Sequence, residues 1–370
     1  MKIKELVLRN YKRFSDTHPP ISFCDEWGEP MDMVLLVGEN GCGKSSVLQA
    51  IAAVVGGAVR PDMQPADLNW PGFDYRHIQS GRRAIEMKAV LHFGNDEIEA
   101  TREYAQRVQE QHPNRAYIEP GDENTVSYRL GYSDNRIFAP NRNLFFQAQG
   151  YQYALQLRRF EPDYTKLFDR VGSVYWYTEQ RNSASIMINQ GGEKALDSSI
   201  ARVNDDELRK LLSKWYRFHR EAQRRNWELR PGQRDVFAEL NRMYGQLFPS
   251  RSLEGSAPRM APEEILEDIE DFFLSENGKE YEVSGMSGGE RAIFPLLIDF
   301  ANWNINNSII LIDEVGLHLH PPLQQALIRA LPKLGKNNQF IVTTHSDYVA
   351  SLFQEHQIKR LDHYEHTSVS

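Results

Sequence analysis

The sequence predicts an α/β fold in which a mixed, largely parallel sheet is covered by helices. An antiparallel β subdomain and a helical insertion are added to it. Three observations carry this reading. A wholly apolar run, Met33-Val34-Leu35-Leu36-Val37, enters a glycine-rich loop, and Val47, Leu48, Ile51, Ala52 and Val55 then recur at helical spacing. A second apolar run, Ile309-Ile310-Leu311-Ile312, ends in the paired carboxylates Asp313-Glu314. The C-terminal third alternates helix and strand: 288–302 helix, 309–313 strand, 322–334 helix, 340–344 strand. Alternation of that kind produces parallel strands joined by crossover helices.

Taken along the chain, Lys2 to Asn10 is rich in Ile, Leu and Val and reads as a strand. Ile85 to Phe93 and Glu97 to Arg102 read as a strand pair around the turn Gly94-Asn95-Asp96. Residues 109–142 are loop-rich, with a strand expected near Val126 to Leu130, and Val174-Tyr175-Trp176-Tyr177 is β-prone. Asp205 to Leu247 is helix-prone and divided by Pro231-Gly232. Residues 250–262 are expected as a loop, and 262–274 as a helix begun by Pro262 with Glu263 and Glu264 in its first turn. The expected division is a first lobe over 1–195, a helical insertion over 196–275 too short for a long coiled coil, and a second lobe over 276–370.

Composition narrows the class. Apolar residues are 41% and charged residues 25% of the chain, as in ordinary globular proteins. No apolar run is long enough to span a bilayer, and Met1 to Glu5 carries no apolar signal core, so a cytoplasmic protein without membrane attachment is expected. Cys24 and Cys42 are the only cysteines, read as reduced thiols, and no Cys-x-x-Cys supplies a zinc site. The net charge of −8 argues against a surface coated for nucleic acid, though a local basic patch remains compatible with it. Lys214, Arg217, Arg220, Arg224, Arg225, Arg230 and Arg234, interleaved with Trp215, Tyr216, Phe218 and Trp227, form such a stretch. It reads either as a solvated helix face over an aromatic core face or as a grip on a phosphate backbone or acidic partner.

Four motifs carry chemistry. Gly38-Glu39-Asn40-Gly41-Cys42-Gly43-Lys44-Ser45 matches the full Gly-x-x-x-x-Gly-Lys-Ser/Thr loop between strand and helix. Backbone amides from Asn40 to Ser46 would cradle phosphates, Lys44 would offset β/γ-phosphate charge, and the Ser45 hydroxyl would ligate Mg²⁺. At the end of a buried strand, Asp313 would stand near that Mg²⁺, and Glu314 would orient or deprotonate an attacking water. Ser287-Gly288-Gly289-Glu290 opens a helix, where a serine and free amides make an anion site and equally a helix cap. Phe340-Ile341-Val342-Thr343-Thr344-His345 is a strand delivering His345 toward the γ-phosphate and the water.

In this order the motifs resemble those of the ATP-binding-cassette ATPases. Glu314-Val315-Gly316-Leu317-His318-Leu319-His320-Pro321 is similar to the Asp-Glu-x-x-x-His-Leu-His-Pro variant of the RecF, SMC-like and OLD (overcoming lysogenization defect) ATPases, including those of bacterial anti-phage systems. Asn10-Tyr11-Lys12-Arg13-Phe14 resembles their N-terminal motif. The resemblance covers both ends of the chain and leaves 109–262 unmatched. It implies a P-loop ATPase head that binds ATP and Mg²⁺ and pairs as a homodimer around ATP, with assembly beyond the dimer left open. Ser287, Gly288 and Gly289 would reach the ATP of the other protomer, and His318 to Pro321 would lie between the two sites. Gln180 is implied as the glutamine sensing Mg²⁺ and γ-phosphate, with a surface glutamine the equal alternative. Arg13 is implied to reach phosphate or DNA, with Arg9 and Lys12 equally available.

The function expected is an ATPase switch controlling DNA engagement or a separate effector, a nuclease or toxin, in anti-phage defence. The alternatives are a RecF-like DNA-repair ATPase and an ATP-dependent scaffold with slow turnover. Without a long heptad run or hinge, a chromosome-condensing SMC protein is not expected. Only a short segment follows His345, so any nuclease is expected on another chain.

Overall fold

The computed structural model describes residues 1–60, 85–114, 116–130, 136–161, 164–179, 183–185, 205–229, 233–260 and 265–361. Its centre is a six-stranded sheet, in the order β14 (Ile358–Arg360), β3 (Met33–Val37), β13 (Gln339–Thr343), β12 (Ile309–Ile312), β7 (Val174–Tyr177) and β8 (Ser183–Ser185). The first five are mutually parallel, and β8 runs antiparallel to β7.

Alternation along these strands sorts their side chains into two cores. Val34, Leu36, Val174, Trp176, Ile309, Leu311 and Ile341 face α1 (Lys44–Val59) and the N-terminal sheet. Met33, Leu35, Tyr175, Tyr177, Ile310, Ile312, Phe340 and Val342 face the C-terminal helices. Burial on both faces is why these strands read as continuous apolar runs.

The second sheet is antiparallel, β2 (Ile21–Ser22), β1 (Lys2–Arg9), β4 (Glu86–His92), β5 (Thr125–Leu130) and β6 (Ile137–Phe138). Gln339, fully buried, stitches it to the central sheet. Its side chain accepts from Ile3 N–H at 2.7 Å and donates to the carbonyls of Ile3 and Met31, each at 3.0 Å.

One element here differs from expectation. Residues 97–102 are not a strand but part of α2 (Asn95–Gln111), which starts at Gly94 with Asp96 and Glu97 in its first turn. Ile98, Thr101, Tyr104, Ala105 and Val108 are its buried stripe, a 3.6-residue period that a six-residue window cannot show. The partners of β4 are β1 and β5 instead. Helices α3 (Arg142–Gln147), α4 (Gly150–Leu157) and α5 (Leu167–Arg170) then lead to β7.

Helices α6 (Asp205–Arg224) and α7 (Val236–Leu247) follow on either side of the expected break. Beyond them the structure corrects the sequence reading. The expected loop over 250–262 and helix over 262–274 are instead two long strands, β9 (Arg251–Met260) and β10 (Ile265–Glu276), with β11 (Lys279–Glu282) completing an antiparallel sheet. Pro262, Glu263 and Glu264 lie outside the described residues. Buried Phe272 and Leu274 alternate with half-buried Asp271 and Phe273, the period of a strand. Glu276 pairs with Lys279 across Asn277-Gly278, whose φ angles are 52° and 78°. Asn-Gly in a two-residue loop is a strong hairpin signal, and it outweighs the helix-start residues upstream. Helices α8 (Gly288–Trp303), α9 (Pro321–Ala330) and α10 (Asp347–Ala350) cover the central sheet.

Candidate nucleotide site

The expected site residues gather at one edge of the central sheet. The phosphate loop leaves β3, Thr344-His345 leaves β13, and Asp313-Glu314 leaves β12, three adjacent parallel strands. Adjacent strands lie roughly 4.8 Å apart, so the ladder itself brings these groups together. This C-terminal edge of a parallel sheet is where α/β folds bind ligands.

Within the loop, Gly41 and Gly43 have φ of 78° and 107°, a region strained for any L side chain. Neighbours exclude a side chain as well. A Cβ on Gly43 would stand 2.9 Å from the buried Phe14 ring, and one on Gly41 3.1 Å from the Arg13 guanidinium. Thus Tyr11-Lys12-Arg13-Phe14 packs against the loop, with Arg13 exposed beside Gly41. Lys12 turns away to Gln49, and Arg9 pairs with Glu86 at 3.6 Å, so Arg13 is the one of the three that borders the loop. Lys44 is buried, its ammonium donating to the carbonyls of Gly38 at 2.9 Å and Glu39 at 3.2 Å. Ser45 is exposed and Ser46 half-buried in the first turn of α1. An open cleft of about 450 Å³ is lined by Val37 to Asn40, by Thr344 to Asp347 and by Arg360.

Asp313 is buried, and its amide donates to the Tyr177 carbonyl at 2.8 Å. Glu314 is half-buried and adopts φ 48°. Its Oε2 accepts the His345 N–H at 3.2 Å and lies 2.8 Å from His345 Nδ1. A carboxylate and an imidazole are thereby joined beside the phosphate loop, the arrangement a general base and its orienting partner require. The turn after Glu314 is braced by Gln324, whose Nε2 donates to the carbonyls of Gly316 at 2.9 Å and Leu319 at 3.0 Å. It buries Leu319 and leaves His318 and His320 exposed.

Among the described residues no group of three or more His, Cys, Asp or Glu forms an all-protein metal site. The oxygen donors Ser45 and Asp313 fit Mg²⁺, a hard cation that usually takes one or two protein ligands and completes its shell with phosphate and water. Gln180, the third expected ligand, lies outside the described residues.

Ser287 N-caps α8 in a capping box. Glu290 N–H donates to Ser287 Oγ at 3.3 Å, and Ser287 N–H to Glu290 Oε2 at 2.8 Å. Ser287 and Gly288 are exposed while Glu290 is buried. Sequence reasoning missed what holds Glu290: hydroxyls of Tyr244 on α7 and Tyr281 on β11, the latter at 2.6 Å, and the Arg251 guanidinium on β9 at 2.5 Å. Close by, Arg209 of α6 grips Glu282 through two bonds of 2.7 and 2.9 Å, and Arg291 of α8 pairs with Asp205 at 2.8 Å. Side chains from α6, α7, β9 and β11 therefore brace the helix start that presents the exposed serine.

Burial alone would raise the pKa of Glu290. Hydrogen bonds from Tyr244, Tyr281, the Ser287 amide and Arg251 outweigh it and hold the carboxyl at about 2. Glu282 also stands at about 2, burial being overcome by Arg209 and Ser284. Both values are depressed, so the stabilisation is complete above the unfolded carboxylate value of about 4.3 and disappears as pH falls through the folded value. Thermal unfolding at stepped pH should show stability dropping between pH of about 4 and 2, with a shallower drop for Glu290→Gln. An equally steep drop in that variant would refute the assignment.

Three members of the basic stretch are engaged with local partners. Arg217 pairs with Glu270 at 3.3 Å, Arg225 pairs with Glu221 and lies over Trp227, and Arg220 lies over the Tyr216 ring. Arg234 is half-buried, and Arg230 lies outside the described residues.

Comparison with known families agrees with this geometry. A model described as "AAA ATPase domain" matches residues 1–111, and one described as "AAA domain, putative AbiEii toxin, Type IV TA system" matches residues 188–351. The chain is an ATPase, with AAA ATPase domain matches toward both of its ends. Among curated relatives, this ATPase is similar to the retron Vc95 probable ATPase of Vibrio cholerae serotype O1 biovar El Tor, 36% identical over 100 residues, covering 24% of this chain and 20% of that protein. It is also similar to the retron Ec83 probable ATPase of Escherichia coli, 40% identical over 99 residues, covering 24% of this chain and 18% of that protein. The alignments thus span about a fifth of each relative's length. Among solved structures, the SmcHead bound to the C-winged helix domain of ScpA gives a TM-score of 0.49 at 18% identity, over 95% of this chain and 92% of that one. The SMC head domain from Thermotoga maritima gives 0.42 at 19% identity, over 95% and 92%.

Proposed function

We propose that two copies of this chain close around ATP and Mg²⁺, and that hydrolysis reopens them. The observation that carries this is the split character of the site. Lys44, Asp313, Glu314 and His345 stand together at one sheet edge, while Ser287 is an exposed helix cap held rigid by the insertion. In each composite site Ser45 and Asp313 would hold Mg²⁺, which supplies charge neutralisation across the β/γ-phosphates. Lys44 leaves its two carbonyls for the same phosphates, and Arg13 adds a second cation beside Gly41. Glu314, oriented by His345, takes the proton of the attacking water. Ser287 and the amides of Gly288 and Gly289 come from the other copy, using the anion affinity of a helix start.

Co-expression tests the shared site. Lys44→Ala and Ser287→Arg are each expected to be inactive alone. A mixed dimer, isolated through two different tags, contains one site with both native parts and should recover partial ATP hydrolysis. No recovery in the mixed dimer would overturn the two-chain site, as would full activity of Ser287→Arg alone.

The output we propose is control of a separate effector, a nuclease or toxin, in cytoplasmic anti-phage defence. The retron relatives support this, as do the unpaired cysteines, which suit a reducing compartment. Among the described residues no helix is long and apolar enough to cross a membrane. ATP-dependent DNA engagement is the second reading, favoured by the exposed cations Lys214, Arg217, Arg220, Arg224 and Arg225 on and just beyond α6. The local partners of Arg217, Arg220 and Arg225 place it behind the effector reading.

A further inference from the structure

We infer that Thr343 is a positioning residue for both carboxylates of the hydrolytic site, an inference that rests on the ATPase reading above. Thr343 is the last residue of β13 and has no exposed surface. A threonine hydroxyl has one proton to donate and two lone pairs to accept with. Here it donates to Asp313 Oδ1 at 2.6 Å and accepts the Glu314 N–H at 2.8 Å. Its backbone carbonyl accepts the Val315 N–H at 2.9 Å. Three consecutive residues of the acidic turn are thus tied to one residue of the neighbouring strand.

The middle residue of the three needs this. Glu314 has φ 48°, a left-handed backbone that a glutamate keeps only where surrounding bonds over-determine it. Its own amide and the next amide are the two peptide groups flanking its Cα, and both end on Thr343. His345, two residues further, holds the Glu314 carboxylate. One strand end therefore sets the backbone of Glu314 with Thr343 and its side chain with His345.

At Asp313 the hydroxyl fixes rotation of the carboxylate by engaging Oδ1. That leaves Oδ2 as the oxygen to meet a cation. Valine has almost the same shape and would fill the same space, but it would take the partner from the half-buried Glu314 N–H and from a buried carboxylate oxygen together. The oxygen atom, not the volume, is what the position requires.

The test compares Thr343→Val with Thr343→Ser in the full chain. ATP hydrolysis is measured across ATP and Mg²⁺ concentrations, and binding of a fluorescent ATP analogue is measured with and without Mg²⁺. The valine variant should bind the analogue in chelator as the native protein does, since Lys44 and the loop are untouched. It should need roughly tenfold more Mg²⁺ for half-maximal hydrolysis and lose roughly tenfold or more in kcat, the usual scale for removing a residue that orients a metal ligand. Serine should restore most of both. Where valine costs the fold, Thr343→Ala is read the same way. Native Mg²⁺ demand and kcat in the valine variant, with Glu314→Gln inactive, would overturn the inference. So would a serine variant as impaired as valine, which would assign the role to the methyl group. Absence of ATP hydrolysis in the native protein would instead overturn the ATPase reading, and this inference with it, whereas native turnover by Glu314→Gln would remove only Glu314 from the chemistry.

Discussion

Glu314→Gln should bind ATP and scarcely hydrolyse it, with phosphate release falling roughly a hundredfold or more, the scale of losing a general base. Glutamine keeps the size and one oxygen of the native side chain, so the turn and the contact with the His345 amide should survive. What disappears is the negative charge that accepts the proton of water and faces the imidazole 2.8 Å away. Because closure is proposed to end with hydrolysis, the variant should also accumulate as an ATP-bound dimer, visible as a doubled mass in light scattering with Mg²⁺-ATP. Native phosphate release would remove Glu314 from the chemistry. Loss of ATP binding together with turnover would show that the residue shapes the pocket instead.

Lys44→Ala should do the reverse, removing binding and turnover together. The ammonium makes two bonds to loop carbonyls within the protein. Bonds from a charged donor are worth about 1.5–3 kcal/mol each. Exchanging those carbonyls for phosphate oxygens is the gain that alanine forfeits, so affinity should weaken on the order of a hundredfold. The fold should change little, because the loop keeps its glycine geometry and its contacts with Phe14. Calorimetric titration with ATP and a thermal melt separate the two quantities. Native affinity would contradict the assignment of Gly38 to Ser45 as the phosphate site.

How much of this was legible in the sequence followed from how local each signal is. The phosphate loop, the acidic strand end and the Ser287 cap are each written within eight or fewer consecutive residues, so their chemistry could be read before any fold existed. The meeting of the phosphate loop and the acidic strand end at one sheet edge followed from strand alternation. The hairpin of β9 and β10 was hidden because Pro262-Glu263-Glu264 imitates a helix start, while the pairing that decides the matter runs between strands. The grip on Glu290 was hidden for a deeper reason. Tyr244, Arg251 and Tyr281 come from three different elements, α7, β9 and β11, and nothing in their spacing says that they meet on one carboxylate. Thr343 was hidden in plain view as the polar residue that closes the apolar run Phe340-Ile341-Val342.

The place of β3 in the sheet has a consequence for how the molecule comes into being. Its two neighbours are β13 and β14, so Met33 pairs with Phe340 and Leu35 with Ile358. The strand that carries the phosphate loop is made long before β13 and β14, which supply both of its hydrogen-bonded sides. Contacts so distant in sequence form late and slowly, because the closing chain loses its freedom before the pairing rewards it. A nascent chain halted between Ser46 and Gln339 would hold the complete glycine loop and neither of the ladders that flank β3. Nucleotide should therefore find its site only once β13 and β14 have been made and have paired, which makes ATP a ligand of a late folding step as well as the fuel of the assembled machine.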